Sequence, residues 1–346
     1  MKKLSIRIAG IASLALLGLL IAACGAWGAL ALAYSGPQNL ILRNSLAAGF
    51  AAVSLTALIA LTSRHYRWRA FAGYLALFTV LVLWWRGIEP SNDRDWQTDV
   101  TRLAYATIED NVVTVRNIRN FDYRSETDYT PAYYDKRFDL DKLEGVDLVT
   151  SYWMGPAIAH VFLSFAFAGG DHLAISIETR KEKGEGYSTL KGFFRQYELY
   201  YVVADERDVI RLRTNYRRDP PEDVYVYRLH GSIENARRVF LEYMREINAL
   251  KRRPEFYNTL TTNCTTTIWL SSRVNPQHLP FSWKILASGY VPEYLYEHGR
   301  LEAGDISFSE LQQRAHINSR AQAADDASDF SQRIRDVNMG ALIYHE

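Results

Sequence analysis

Ile158-Ala159-His160-Val161-Phe162-Leu163-Ser164-Phe165-Ala166-Phe167-Ala168-Gly169-Gly170-Asp171-His172-Leu173-Ala174-Ile175-Ser176-Ile177-Glu178-Thr179-Arg180 is the stretch on which the fold turns. Two strand-like runs, 158–167 and 172–179, flank Gly169-Gly170-Asp171, a hairpin signal. Strand side chains alternate between faces. Odd positions (Val161, Leu163, Phe165, Phe167, Leu173, Ile175, Ile177) then form one apolar face. Even positions carry His160, Phe162, Ser164, His172, Ser176 and Glu178 on a mixed face. Matching the faces requires an odd loop, and a three-residue Gly169-Gly170-Asp171 turn fits. That register sets His160 opposite Arg180 and diagonal to Glu178, within reach of long side chains. His172 falls at the far end of the hairpin.

The hairpin sets the class of the surrounding segments. Further strands are expected at 198–204, 209–214 and 224–229. Ser232 caps an expected helix over 234–249 with Val239, Leu241, Tyr243, Met244 and Ile247 as apolar positions. A second helix opens at Thr261-Thr262-Asn263-Cys264-Thr265-Thr266-Thr267, where Asn and Thr are favoured caps. Strands followed by helices predict an α+β domain, an antiparallel sheet with helices on one side. Residues 89–150 lack clear periodicity and read as an irregular lead-in with one short helix near 99–106. Residues 305–336 read as exposed polar helices.

Cys264 is the sole cysteine outside the apolar N-terminus. At the first turn of a helix it meets the positive end of the helix dipole, which lowers a thiol pKa. A lone Cys with a distant His is the minimum for a thiol nucleophile and its base. Cys264 is therefore the expected nucleophile, His160 its base and Glu178 the group that orients the imidazole. Asn263 and Tyr257 are candidate oxyanion donors or substrate-positioning groups. Arg180 is a candidate phosphate partner, or else an ion-pair partner of Glu178 or Glu182.

The first quarter is a different material. No charged residue falls between Ile8 and Ala33, long enough to cross a bilayer. Similar runs cover about 44–63 and 70–86, with Trp84 and Trp85 suited to an interfacial belt. Lys2, Lys3 and Arg7 precede the first span, and Arg64, Arg67 and Arg69 fill the second loop. The positive-inside rule then puts the N-terminus in the cytoplasm and everything after the third span outside, the periplasm in a Gram-negative cell. Ile21-Ala22-Ala23-Cys24 also looks like a lipoprotein cleavage box, but the apolar run continues to Ala33. The expected organisation is a membrane region over 1–88, the lead-in over 89–150, a core over 151–300 and a polar helical tail over 301–346. A net charge of +1 gives no basic surface for nucleic acid. Two cysteines far apart give no zinc spacing, and no metal or cofactor is expected.

Ala159-His160-Val161-Phe162-Leu163-Ser164-Phe165, Ser176-Ile177-Glu178-Thr179-Arg180, Gly184-Glu185-Gly186-Tyr187-Ser188, Phe256-Tyr257-Asn258 and Asn263-Cys264-Thr265-Thr266 together resemble the Lnb N-terminal periplasmic domain family over roughly 95–340. The order His before Cys also resembles circularly permuted NlpC-type papain-like folds, including the lecithin:retinol acyltransferase group. That group often uses a second His as third member, where this chain offers Glu178. The resemblance implies a membrane-anchored acyltransferase of the bacterial inner membrane. It would move an acyl chain from a membrane phospholipid, through a Cys thioester, to the amine of a lipoprotein. Two other readings stand beside it. One is a papain-like peptidase or amidase acting on cell-wall peptides; the other is a non-catalytic membrane-anchored binding protein with a buried Cys264.

Overall fold

Three long helices open the chain, α1 (Lys2–Ser35), α2 (Leu40–Ala60) and α3 (Arg67–Arg86). The computed structural model describes residues 2–336; residues 337–346 of the expected tail lie outside them, as do the side chains of Lys2, Lys3 and Arg7. Gly10–Ser35, Leu40–Ala60 and Arg67–Arg86 are each long and apolar enough to cross a membrane. Asn39 caps α2, its side-chain oxygen accepting from Leu42 N at 3.0 Å. The helices meet around Ile21, Phe50, Ala57, Leu61, Tyr74 and Leu81, with Cys24 packed against that cluster. Close approach rests on small residues. A Cβ on Gly28 would lie 2.4 Å from Phe50 Cε1, and one on Gly25 2.7 Å from Ser54 Cβ. Residues Ser188–Gln196 belong to this same compact unit. There Arg195 lies 4.3 Å over the Trp85 ring and donates to the carbonyls of Trp85, Arg86 and Ile88 at the end of α3.

The second unit comprises Asn92–Tyr187 and the chain from Tyr197 onward. In chain order its strands and helices are β1 (Tyr105–Glu109), β2 (Val112–Arg119), β3 (Asp122–Tyr123), β4 (Tyr129–Thr130), β5 (Tyr133–Asp139), β6 (Leu143–Tyr152), β7 (Ala159–Phe167), β8 (Asp171–Arg180), β9 (Glu198–Ala204), α4 (Glu206–Arg211), β10 (Asp223–Arg228), α5 (Ile233–Arg252), α6 (Cys264–Ser272), α7 (Trp283–Leu286), α8 (Val291–Glu297), α9 (Phe308–Ala315), α10 (Asn318–Ala323) and α11 (Phe330–Arg333). The main sheet runs β1-β2-β9-β8-β7-β6-β10, with β5 also on β2. Its pairings are antiparallel except β2 with β9, which meet in parallel at Arg119 and Ala204. The protein is thus a mixed α+β chain behind three candidate membrane helices.

The hairpin forms with its apolar face intact. Phe167 pairs with Asp171 and Leu163 with Ile175, so the three-residue loop is 168–170, one position earlier than expected. Gly169 and Gly170 take φ of +91° and +86°, where a side chain would be strained. The shift moves the register by two residues, which leaves every side chain on its face. Extended outward, it puts Glu178 rather than Arg180 opposite His160.

Helices cover both faces of the sheet, not one. The odd face buries Val161, Leu163, Phe165 and Ile175 against Phe240, Tyr243, Met244 and Ile247 of α5. The even face buries Phe162, Ala174 and Val202 against Val209, Ile210, Ile317, Ala321, Phe330 and Ile334. The polar tail therefore packs through to residue 334, because its few apolar side chains fall on one side and its charges find partners. Arg335 bridges Asp147 at 2.7 Å and Glu206 at 2.6 Å, two fully buried carboxylates.

Two further expectations fail for related reasons. The strand expected at 209–214 is α4 followed by a π-turn over Leu212–Tyr216. Asp205 caps α4, accepting from Arg207 N at 2.9 Å, and buried charges such as Asp208 with Arg119 (2.6 Å) hide its pattern. The lead-in is not irregular: it supplies β1–β6, and a 3-10 turn at Thr98–Val100 replaces the expected short helix. A bulge at Asn117 (φ 59°) breaks the alternation of β2 between Val115 and Ile118. In β6 both faces are buried, and Asp147, Thr150 and Ser151 interrupt its apolar run.

Candidate active site

Cys264 is the first residue of α6, and Asn263 is its cap. The Asn263 Oδ1 accepts from Thr266 N (2.9 Å), Thr266 Oγ1 (2.9 Å) and Thr265 Oγ1 (3.1 Å). Thr266 Oγ1 in turn accepts from Asn263 N at 3.0 Å, closing a capping box. The Asn263 Nδ2 donates to Thr259 O at 2.7 Å. Every polar atom of that amide is engaged in holding the turn. Asn263 thus fixes the position of the thiol through its Oδ1, while its Nδ2 has a second N–H that the bond to Thr259 does not use.

Helix α6 packs on β7 and β8, which brings Cys264 to His160. The two side chains are hydrogen-bond partners, and the backbone N–H groups of Val161 and Thr265 also face the sulfur. Burial pushes the thiol up, but His160 and these N–H groups together bring it below its ordinary value. For His160, burial and the nearby Arg213 push the imidazole down. Glu178 and Cys264 outweigh them, and the net effect is a raised pKa. A lowered thiol and a raised imidazole both shift the pair toward thiolate and imidazolium.

On its other side His160 Nε2 lies 2.6 Å from Ser176 Oγ, whose hydroxyl donates to Glu178 Oε1 at 2.9 Å. With that hydroxyl hydrogen committed, Nε2 is the donor toward Ser176, leaving Nδ1 for the thiol. Glu178 Oε1 is itself 3.4 Å from Nε2. Burial pushes the Glu178 carboxyl up, but His160, Arg213 and Arg217 hold it well below the usual range. Arg213 reaches Glu178 Oε1 at 3.1 Å and Glu222 Oε2 at 2.9 Å. Arg217 holds the other Glu222 oxygen at 2.7 Å, and Ser151 donates to Oε2 as well. Burial would raise Glu222; Arg213 and Arg217 overcome it and hold the carboxyl at about 2. The site is therefore a chain of buried and half-buried polar groups, Cys264–His160–Ser176–Glu178–Arg213–Glu222.

Tyr257 also comes beside Cys264: burial pushes its phenol up, and the sulfur's charge adds to the effect. The Arg180 guanidinium is engaged with other groups. It lies 4.2 Å over the Trp96 ring and donates to Val100 O, Thr101 O and Asn92 Oδ1, which ties down the lead-in. Ser176, Arg213 and Glu222 were not singled out in the sequence. Ser176 shares the even face with His160 and Glu178, a signal that was present. Arg213 lies in the misread strand, and nothing local marks Glu222.

A group of three potential metal ligands, Asp147, His172 and Glu206, lies elsewhere on the even face. The Arg335 guanidinium already sits on both carboxylates, and Arg228 holds Asp147 at 2.7 Å. The positive charge a cation would bring is supplied by the protein.

A thiol at a capped helix start, an imidazole on the adjoining strand and a carboxylate behind it define a membrane protein whose α+β domain carries a Cys–His–Glu constellation. Residues 129–289, which hold all three, match the Lnb N-terminal periplasmic domain family. The matched segment follows three helices long and apolar enough to cross a membrane. No curated protein and no solved structure matches the chain.

Proposed function

We propose that the protein is a thiol acyltransferase of the bacterial inner membrane, with its N-terminus in the cytoplasm and a permuted papain-like core outside. The observation that carries this reading is the hydrogen-bonded run from Cys264 through His160 and Ser176 to Glu178. The Cys264 thiolate attacks an ester carbonyl of a membrane phospholipid, forming the C–S bond. The backbone N–H of Cys264, with Tyr257, steadies the oxyanion. His160 gives its proton to the departing lysolipid oxygen as the C–O bond breaks. The amine of a diacylglyceryl-cysteine lipoprotein then attacks the thioester. His160 takes the amine proton, and the thiol is regenerated with the acyl chain on nitrogen. Glu178, through Ser176, orients the imidazole and stabilises its charged form. The covalent link to three spans supplies lipid donors at high effective concentration.

A cell-wall peptidase would use the same nucleophile with water as acceptor. The apolar residues Val161, Leu163, Val239 and Ile268 of the cavity that Thr265 also lines favour a hydrocarbon over a peptide, whose N–H and C=O groups would need partners there. The test is transfer from phosphatidylethanolamine vesicles to a synthetic dipalmitoylglyceryl-cysteinyl peptide. N-acylated peptide formed by the wild type and not by Cys264→Ala supports the reading. Hydrolysis of a murein peptide with no N-acylation would replace it with the peptidase.

A further inference from the structure

An apolar cavity of about 240 Å³ lies under the odd face of β7, bounded by α5, α6 and α8. Val161 and Thr265 form part of its wall, the same two residues whose N–H groups face the Cys264 sulfur. Leu163, Ile268 and Val239 add wall that offers no hydrogen-bonding group. Its lining also reaches the exposed residues His230, Gln277 and His278, so the space opens to the surface, and Thr265 next to Cys264 in sequence lies on its wall. Polar residues such as Arg228, Asn235, Asn275 and Arg300 also line the space, and its apolar stretch past Val161, Leu163, Val239 and Ile268 suits one unbranched hydrocarbon chain, whose methylenes are stabilised by leaving water.

We propose that this cavity holds the chain of the acyl group carried on Cys264, and that Ala236 and Val239 of α5 set the chain length accepted. The inference rests on the acyl-transfer reading above. Ala236 is a short side chain in the lining, so a larger residue there removes space along the chain's path. Val239 is a branched one, so its truncation adds space.

The experiment uses the full-length protein in detergent with p-nitrophenyl acetate, octanoate and dodecanoate. In each case the sulfur–carbonyl bond forms, the ester C–O bond breaks and p-nitrophenolate leaves, giving a coloured burst and an acyl mass on the Cys264 peptide. Rates are compared as the ratio of dodecanoate to acetate. Ala236→Phe is expected to lower that ratio about tenfold, the worth of two buried methylenes. Val239→Ala is expected to raise it two- to threefold, on the order of one methylene's worth. If Ala236→Phe takes up no acetyl group, its fold is lost and Val239→Ala alone decides. Wild-type ratios in both variants, with acylation intact, would overturn the cavity assignment and leave acyl transfer standing. A wild type that accepts no acyl group from any of the three esters overturns both.

Discussion

Replacing Glu178 by Gln tests the electrostatics of the site while keeping its shape. The carboxylate lies 3.4 Å from His160 Nε2 and is 2.9 Å from Ser176, so an isosteric amide can keep the Ser176 contact and lose the charge. Glu178 is the main influence raising His160 against burial and Arg213. Without it, the Arg213 charge is countered by Glu222 alone, and the imidazolium form keeps only Cys264 as a charge partner. An opposite charge at this distance is worth about 1.4 to 4 kcal/mol in a pKa shift. The low end applies, because the Glu178 side chain is 27% exposed and Arg213 shares its charge. About 1.4 kcal/mol is tenfold in the thiolate population that His160 supports. The assay is the pH dependence of Cys264 alkylation by iodoacetamide in a Cys24→Ala background. In the parent protein, alkylation should begin below the pH at which a free cysteine ionises, because His160 and the backbone N–H groups lower the Cys264 thiol against its burial. In Glu178→Gln it should be about tenfold slower at pH 7, with its midpoint moved to higher pH. Ser176→Ala, which keeps the direct 3.4 Å approach, should fall between the two. A Glu178→Gln profile that superimposes on the parent would refute the argument that this carboxylate charges the imidazole.

Asn263→Ala removes the capping box of α6, and a lost cap costs about 1 kcal/mol; thermal unfolding should show the drop, and alkylation at pH 7 should slow because the helix start is no longer held at the sulfur. Arg335→Met leaves Glu206 buried without its cation, while Asp147 keeps Arg228, and breaking such a buried pair typically costs about 3–5 kcal/mol. Arg335 outweighs the burial of Glu206 and holds its folded carboxyl at about 2, below the unfolded value near 4.5. Its stabilisation is therefore present above about pH 4.5 and lost as pH falls toward 2, so denaturation midpoints of variant and parent should converge on acidification. Arg180→Ala, which opens the stack on Trp96, should lower the melting temperature and leave the pH midpoint of Cys264 alkylation in the folded protein unchanged.

The hairpin was legible because its alternation is strict on the apolar face: Val161 to Phe167 and Leu173 to Ile177 permit only one pairing of faces. The same parity rule that protected the face left the loop free to slip by one position, since a two-residue change of register costs no burial. That slip moved Glu178 from diagonal to opposite His160, an outcome favourable to the assignment that alternation could not select. The cap at Asn263 was legible because Asn-Cys-Thr-Thr places acceptors ahead of an apolar turn. The cap uses the oxygen of that amide and one of its two N–H groups goes to Thr259. The even face was harder to read. It buries Ser164, Ser176, Glu206, Asp208 and Arg213, and buried charges satisfied by distant partners leave no hydrophobic period to detect. Arg213 meets Glu178 across 35 residues and Arg335 meets Asp147 across 188. Those pairings belong to the folded sheet and its two layers of helices, and no local window contains them.

The most direct test of the central claim is intact and peptide-level mass spectrometry of the full-length protein after incubation with phosphatidylethanolamine. The account predicts one acyl chain added to Cys264, released by neutral hydroxylamine, absent in Cys264→Ser and strongly reduced in His160→Ala. A Cys264 that stays unmodified by phospholipid, while remaining open to iodoacetamide, would contradict it.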